Sequence, residues 1–373
     1  MDKIRLGIIG MGNMGTGHLK SILDGQCPRM TVTAFADIAP DKLERAKGLC
    51  PTARPFNNAN DLLDSGLVDA VLIAVPHYDH PTIAIESFKR GIHVMTEKPA
   101  GVYTKQVREM NEAAKSAGVV FSIMFNQRAN PIYQKAKEIV RTGLLGEPKR
   151  MVWIITNWYR TQSYYDSGTW RATWDGEGGG VLLNQAPHNL DLWQWIFGMP
   201  KRVRAFCDFG KYHKILVEDD VTIHAEYENG ATAAFITSTG EAPGTNRLEI
   251  TGDKGKIVLE NATLKWTKLK MPEREFCFTC PEGFATPETE YEEFTAPEPD
   301  GHPILLNNFA DAILDGAPLI AKGEEGINSL SLSNAAYLSA WTDSWADLPV
   351  DEGLFLQHLE QLREKEKKAK AFL

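Results

Sequence analysis

The chain has 373 residues, 43% of them apolar and 24% charged, with a net charge of −9; that length is enough for two domains with a sizeable core. The acidic balance excludes the basic face that nucleic-acid phosphates require, and no run of about 18 apolar residues marks a membrane span. Five scattered cysteines, and an opening MDKIRLGIIG that runs straight into a strand pattern with no charged-then-apolar leader, point to a cytoplasmic protein with reduced thiols.

Over the first 125 residues the apolar strand runs KIRLGIIG, MTVTAFAD, DAVLIAVP, HVMTEK and GVVFSIMF alternate with helical patterns at 13–24, 40–50, 80–90 and 103–117. Near-continuous apolar strands separated by helices predict a parallel sheet covered on both faces. After residue 126 the texture changes: a helix over 131–142 precedes β-branched and aromatic runs at 149–159, 201–209, 217–228, 231–240, 246–251 and 255–268. YENGAT and TGDKGK read as turns. With no helices between the later runs, an antiparallel meander is expected. The run 231–239, apolar on both faces, is expected to lay one face on a helix holding His188 and the other on a second subunit. CFTC, at Cys277–Cys280, is a lone C-x-x-C expected to mark a strand or loop, with no metal site. Helices return at 304–315, 324–345 and 352–370. The expected α/β architecture divides into a dinucleotide-binding domain at 1–125 and a substrate-binding and oligomerisation domain at 126–373.

GIIGMGNMGTGH carries G-x-G-x-x-G at Gly10, Gly12 and Gly15, after a strand and at the start of a helix. Gly10 permits the turn, Gly12 lets backbone approach a pyrophosphate, and Gly15 lets helix pack on strand. Met11, Asn13 and Met14 share the loop, and the helix N-terminus offers N–H groups to phosphates. Asp37 ends the next strand 22 residues after Gly15 and is placed to accept from a ribose diol. Ile38 follows it where a cation would favour a 2′-phosphate, so NAD is expected over NADP; Lys42, one helical turn on, keeps NADP open. Residues at the ends of the later strands, Ala74, Pro76, His80, Glu97, Lys98 and Asn126, are candidates for the same cofactor, because ligands in open α/β sheets sit at the carboxyl ends of strands.

VMTEKPAG ends the fifth strand with Glu97, Lys98 and Pro99, and GGGVLLNQAPHNLDLWQWIFG (178–198) reads as a helix opened by glycines. On it Asn184 lies four residues before His188 and Asp191 three after, a spacing that puts all three on one helical face. The glycine fingerprint, E-K-P on the fifth strand and G-G-G with H-x-x-D on a later helix, together with FNQRANP, PILLNNFADAILDG and LSLSNAAYLSAW, resemble the Gfo/Idh/MocA oxidoreductases over nearly the whole chain. This is the glucose–fructose oxidoreductase and inositol dehydrogenase family. The resemblance implies a Rossmann domain followed by an α/β domain with an open, mostly antiparallel sheet. It also implies oxidation or reduction of a hydroxyl on a sugar or cyclitol, with Lys98 and His188 as the catalytic pair. Many relatives carry aspartate where this chain has Asn184.

The chemistry is consistent with those roles. An imidazole can accept a proton near neutral pH, and a lysine ammonium can stabilise charge developing on oxygen. Six of the nine tryptophans lie between Trp153 and Trp195, and aromatic faces beside fixed polar groups suit a sugar. Trp158, Trp174, Asn184 and Asp191 are therefore candidate substrate contacts, and Arg128 and Arg171 are candidates for a carboxylate or phosphate on the substrate. The expected assembly is a homodimer or homotetramer through the open sheet. Two further readings are an NAD-dependent glycosidase working by transient oxidation and elimination, and an NAD-binding regulator without turnover.

Overall fold

The computed structural model describes residues 3–371, and within it the chain forms two compact units. The first comprises Met1–Ala129, Gly176–Gly178 and Asp300–Leu330; the second comprises Asn130–Asp175, Gly179–Pro299 and Ser331–Leu373.

The first unit opens with β1 (Ile4–Ile9), α1 (Asn13–Leu23), β2 (Met30–Ala36), α2 (Pro40–Leu49), β3 (Arg54–Phe56), α3 (Ala59–Leu63), β4 (Ala70–Ile73), α4 (Asp79–Lys89), β5 (His93–Thr96), α5 (Thr104–Ala117) and β6 (Phe121–Ile123). Among the described residues six strands pair in the order β3-β2-β1-β4-β5-β6, every pair parallel. Ile4, Leu6, Ile8 and the whole of β4 are buried, as expected for a sheet with helices on both faces. Helix boundaries follow local chemistry: Asn58 caps α3 by accepting from Asp61 N, Pro40 starts α2, and Gly118 ends α5 in the left-handed region at φ 64°, where glycine carries no Cβ penalty.

The second unit follows with α6 (Pro131–Arg141), β7 (Pro148–Ile155), α7 (Gln162–Asp166), α8 (Pro187–Phe197), β8 (Arg202–Phe209), β9 (Glu218–Glu226), β10 (Thr232–Ser238), β11 (Asn246–Gly252), β12 (Gly255–Glu260), β13 (Thr263–Leu269), α9 (Glu273–Thr279) and β14 (Thr289–Thr295). The chain then returns to the first unit with α10 (Gly301–Asp315); α11 (Gly326–Thr342) spans the last unit boundary, and β15 (Ala346–Asp347) and α12 (Glu352–Ala371) complete the second. Its sheet runs β14-β13-β12-β11-β7-β10-β9-β8-β15.

This sheet corrects the simple meander. β8, β9 and β10 do form antiparallel hairpins, but β10 then lies parallel to β7, and β11 takes the other side of β7. The long connection from β7 to β8, which carries α7 and α8, leaves β7 open on both sides for strands that come later. The run 255–268 is two strands, broken where Asn261 and Ala262 adopt φ of 50° and 55°. Cys277 lies on α9, started by Pro272 with Glu273 and Glu275 in its first turn, so the C-x-x-C segment is helical rather than strand or loop.

α8 lies on the inner face of the sheet. Trp193 stacks on Phe235 of β10 with ring centroids 5.6 Å apart, and its indole N–H donates to Tyr227 Oη at 2.6 Å. Trp193 and Phe235 are both fully buried. Trp193→Ala is expected to cost about 3–5 kcal/mol, read as a lower urea midpoint; an unchanged midpoint would show that α8 is held elsewhere.

Candidate functional site

In the first unit the loop from β1 to α1 has the geometry of a phosphate cradle. Gly10 sits at φ 95°, and a Cβ there would meet Ala74 O at 2.4 Å. A Cβ on Gly15 would lie 1.9 Å from Gly10 O, whereas one on Gly12 would meet nothing within 4 Å. The loop is thus tight at both ends and open in the middle, where a pyrophosphate can approach backbone. No side chain caps the N-terminus of α1, so its positive end is directed at that opening. Asp37, only 8% exposed, accepts from Met11 N at 2.7 Å and Ala39 N at 2.9 Å. Lys42 Nζ lies 3.7 Å from the same carboxylate, and Ile38 is 89% exposed.

Glu97 and Lys98 follow β5. Glu97 is buried and accepts from His18 Nε2 at 2.6 Å, while its other oxygen takes Lys98 N at 3.2 Å. Burial works against the charged form, but the His18 hydrogen bond and the charges of His18, Lys98 and His302 outweigh it and hold Glu97 down at about 2. His302 lies edge-on to His18 at 5.5 Å, and burial lowers its pKa. Asn126 Nδ2 approaches the His302 ring, while Asn126 Oδ1 is a buried acceptor with no hydrogen-bond partner among the described residues. Such an acceptor fits a ligand amide or hydroxyl. A Cβ on Gly301 would lie 2.5 Å from Asn126 O, which accounts for glycine beside His302.

In the second unit His188 is the second residue of α8 and is half-buried. The helix begins at Pro187, not at the glycines, because proline supplies no donor to continue a ladder from the preceding turn. Asn184 therefore lies in that turn, its N–H on Gly180 O at 3.0 Å, and the single helical face expected for Asn184 and His188 is not formed. The glycines serve close approach instead: a Cβ on Gly179 would lie 2.1 Å from Tyr337 Oη, and one on Gly180 2.0 Å from Glu218 O. Glu218, fully buried on β9, gathers the turn by accepting from Gly180 N, Leu182 N at 2.9 Å and Tyr337 Oη at 2.7 Å. Burial pushes its carboxyl up to about 7 against the pull of those donors.

Two family models match the chain. One, described as the oxidoreductase family with an NAD-binding Rossmann fold, covers residues 4–125; the other, the GFO/IDH/MocA C-terminal domain, covers 133–258. The chain belongs to the Gfo/Idh/MocA oxidoreductase family. It is 26% identical over 346 residues to myo-inositol 2-dehydrogenase of Thermotoga maritima, spanning 89% of this chain and 95% of the relative. It is 25% identical over 345 residues to the rhizopine catabolism protein MocA of Rhizobium meliloti, spanning 90% and 95%. Among solved structures, the WlbA dehydrogenase of Bordetella pertussis, in complex with NADH and UDP-GlcNAcA, superposes with a TM-score of 0.78 at 28% identity, covering 94% of this chain and all of that one. This Gfo/Idh/MocA chain is an NAD-dependent oxidoreductase, and the glycine loop, Asp37 and Asn126 are chemically fitted to hold the dinucleotide.

Within this oxidoreductase several predicted contacts are engaged elsewhere. His80 is buried with Nδ1 2.8 Å from Pro99 O and Nε2 2.7 Å from Val75 O, so both ring nitrogens face the loops after β4 and β5. Arg128 is 1% exposed and its guanidinium meets Glu325, so its charge is already matched. Asp191, also 1% exposed, accepts from Gln194. Trp174 packs among Tyr337 and Trp341 and donates to Leu216 O. Trp195 lies under Lys137 Nζ, 3.9 Å from its ring centroid. Ala74 lies beside the cradle, its carbonyl against Gly10, and Pro76 is exposed. Trp158 remains half-buried and donates to Asn189 Oδ1 at 3.1 Å; Arg171 donates to Tyr164 Oη at 2.9 Å. Sequence reasoning missed His18, His302 and Glu218. His18 carried a signal, since it falls three residues after Gly15 on the buried side of α1.

Asp37→Ser with Ile38→Arg is expected to raise the NADP-to-NAD ratio of kcat/KM about tenfold or more, by removing an anion and adding a phosphate partner; an unchanged ratio would count against Asp37 as the ribose contact. Glu218 binds its proton more tightly folded than unfolded, so its contribution to stability falls as pH rises from about 4.3 through about 7. Glu218→Gln, which cannot titrate, should therefore show a flatter Tm profile between pH 5 and 8 than the wild type. Parallel profiles would contradict the raised carboxyl.

Proposed function

We propose that this oxidoreductase oxidises a secondary hydroxyl, or reduces the corresponding ketone, on a sugar, sugar derivative or cyclitol, with Lys98 and His188 as its acid–base groups. The observation that carries the reading is the glycine cradle with Asp37, completed by Lys98 at the carboxyl edge of the same parallel sheet. The myo-inositol dehydrogenase and the WlbA complex support the substrate class. Bound NAD⁺ supplies the hydride acceptor, so that alcohol and NAD⁺ become ketone, NADH and one proton.

His188 accepts that proton, a task suited to an imidazole near neutral pH. The Lys98 ammonium donates to the reacting oxygen and stabilises negative charge as it develops. Glu97, clamped by His18, holds the backbone N–H of Lys98 and so fixes where the lysine starts. Asn184 cannot act as a base, but its amide can both donate to and accept from a substrate hydroxyl. We keep Asn184, Trp158 and Arg171 as substrate contacts and leave out Arg128, Asp191 and Trp174, whose burial and partners occupy them. We assign nucleotide binding to residues 1–125, and substrate binding and oligomerisation to 126–373 apart from Gly176–Gly178 and Asp300–Leu330, which pack with the first unit.

The outward face of the second sheet supports assembly through it. Val152 and Ile154 of β7 pair in register with Ala234 and Ile236 of β10, all on the face opposite Trp153 and Phe235. A homodimer or homotetramer would cover them. Among the described residues no helix is long and apolar enough to cross a membrane.

NAD⁺ reduction across a panel of sugars, cyclitols and glycosides tests the reading. Lys98→Met and His188→Ala should each lower kcat by about a hundredfold or more while NADH binding, followed by fluorescence, persists. Near-normal turnover in either variant would remove that residue from the mechanism.

A further inference from the structure

Resting on that dehydrogenase reading, we infer that the substrate carries an anionic group, a carboxylate or phosphate, bound by Arg160 and Arg171 around the ring of Tyr164. Both guanidinium groups lie on this one ring, Arg160 at 5.1 Å and Arg171 at 4.7 Å from its centroid. All three side chains are half-buried. Two guanidinium groups on one aromatic ring concentrate positive charge that a ligand anion would offset.

The acids near in sequence do not neutralise Arg160. Asp166 accepts from Gln162, and Asp175 pairs with Arg363 and Lys367. Among the described residues no carboxylate lies within the 4.0 Å of an ion pair to Arg160, whose guanidinium donates only to the carbonyls of Trp158 and Tyr159. In a chain with a net charge of −9, an unmatched arginine in such a place is a functional signal.

Hydrogen bonds join this cationic platform to the turn before His188. Tyr164 Oη donates to Asn184 Oδ1 at 3.4 Å and accepts from Gln185 Nε2 at 3.3 Å. Trp158, two residues before Arg160, donates to Asn189, the neighbour of His188. Gln185 is 4% exposed, and its Oε1 has no hydrogen-bond partner among the described residues. That buried acceptor calls for a donor from outside, such as a ligand hydroxyl. A polyol with an acidic substituent supplies both halves: hydroxyls for Gln185 and Asn184, and oxygens for two planar guanidinium forks.

The test compares matched neutral and acidic probes: D-glucose with D-glucuronate and with D-glucose 6-phosphate, and D-galactose with D-galacturonate. Two readouts are used, kcat/KM for NAD⁺ reduction and calorimetric affinity for the NADH-loaded enzyme. At least one acid should exceed its neutral partner about tenfold or more, with the advantage shrinking as salt rises. Which acid wins distinguishes carboxylate from phosphate. Arg160→Met and Arg171→Met should each lower the acid-to-neutral ratio about tenfold, and Arg160→Lys should restore part of it. Neutral probes that bind and react as well as the acids, an acid preference that survives both methionine variants, or no binding by any acid would each overturn the inference. Neutral oxidation without acid preference removes only the anion site. If no probe reduces NAD⁺, the dehydrogenase reading fails, while acid binding to the NADH-loaded enzyme still reports on the arginines.

Discussion

The parallel ladder of the first unit does not stop where its strands do. Gly10 N donates to Ala36 O, Ala74 N to Ile9 O, Glu97 N to Ile73 O and Met124 N to Thr96 O, each at 2.7–2.9 Å. These bonds carry the sheet's spacing one step into the loops. The glycine turn, the loop after β4, the E-K-P segment and the approach to Asn126 are therefore set side by side by backbone pairing before any side chain contributes. The side chains refine an edge already placed.

Two buried carboxylates show how differently the two units use charge. Glu97 is held ionised, because His18, His302 and Lys98 surround it with donors and positive charge. Glu218 meets backbone N–H groups and a phenol but no cation among the causes of its shift, and burial dominates. The first is an electrostatic anchor beside a lysine; the second is a hydrogen-bond hub whose task is to gather a glycine turn. The first is insensitive to pH across the neutral range, and the second titrates within it.

Much of the first unit was legible in the sequence because a parallel sheet writes itself as near-continuous apolar runs and a dinucleotide turn demands glycine at fixed offsets. The second sheet was less legible. Its alternating strands reveal their faces but not their neighbours, and nothing local announces that β10 will lie parallel to β7. That His188 lies on a helix was readable from its motif. The helix around it was misread because G-G-G looks like a helix start when the real constraints are Tyr337 Oη and Glu218 O, distant in sequence. Arg128 looked available and is not, since its partner Glu325 lies 197 residues away. Ion pairing at that separation leaves no trace in a local pattern.

His80 holds a last consequence. Its two ring nitrogens face two carbonyl oxygens, one on each of the loops that follow β4 and β5, and burial lowers its pKa. A neutral imidazole carries one N–H, so at any instant it can satisfy only one of the two. The ring is a single-occupancy latch: when one tautomer fastens the loop ending in Pro99, the loop at Val75 faces a lone pair, and the reverse holds for the other. Grip on the two loops is thus exclusive, and the position of one proton decides which is the firmer.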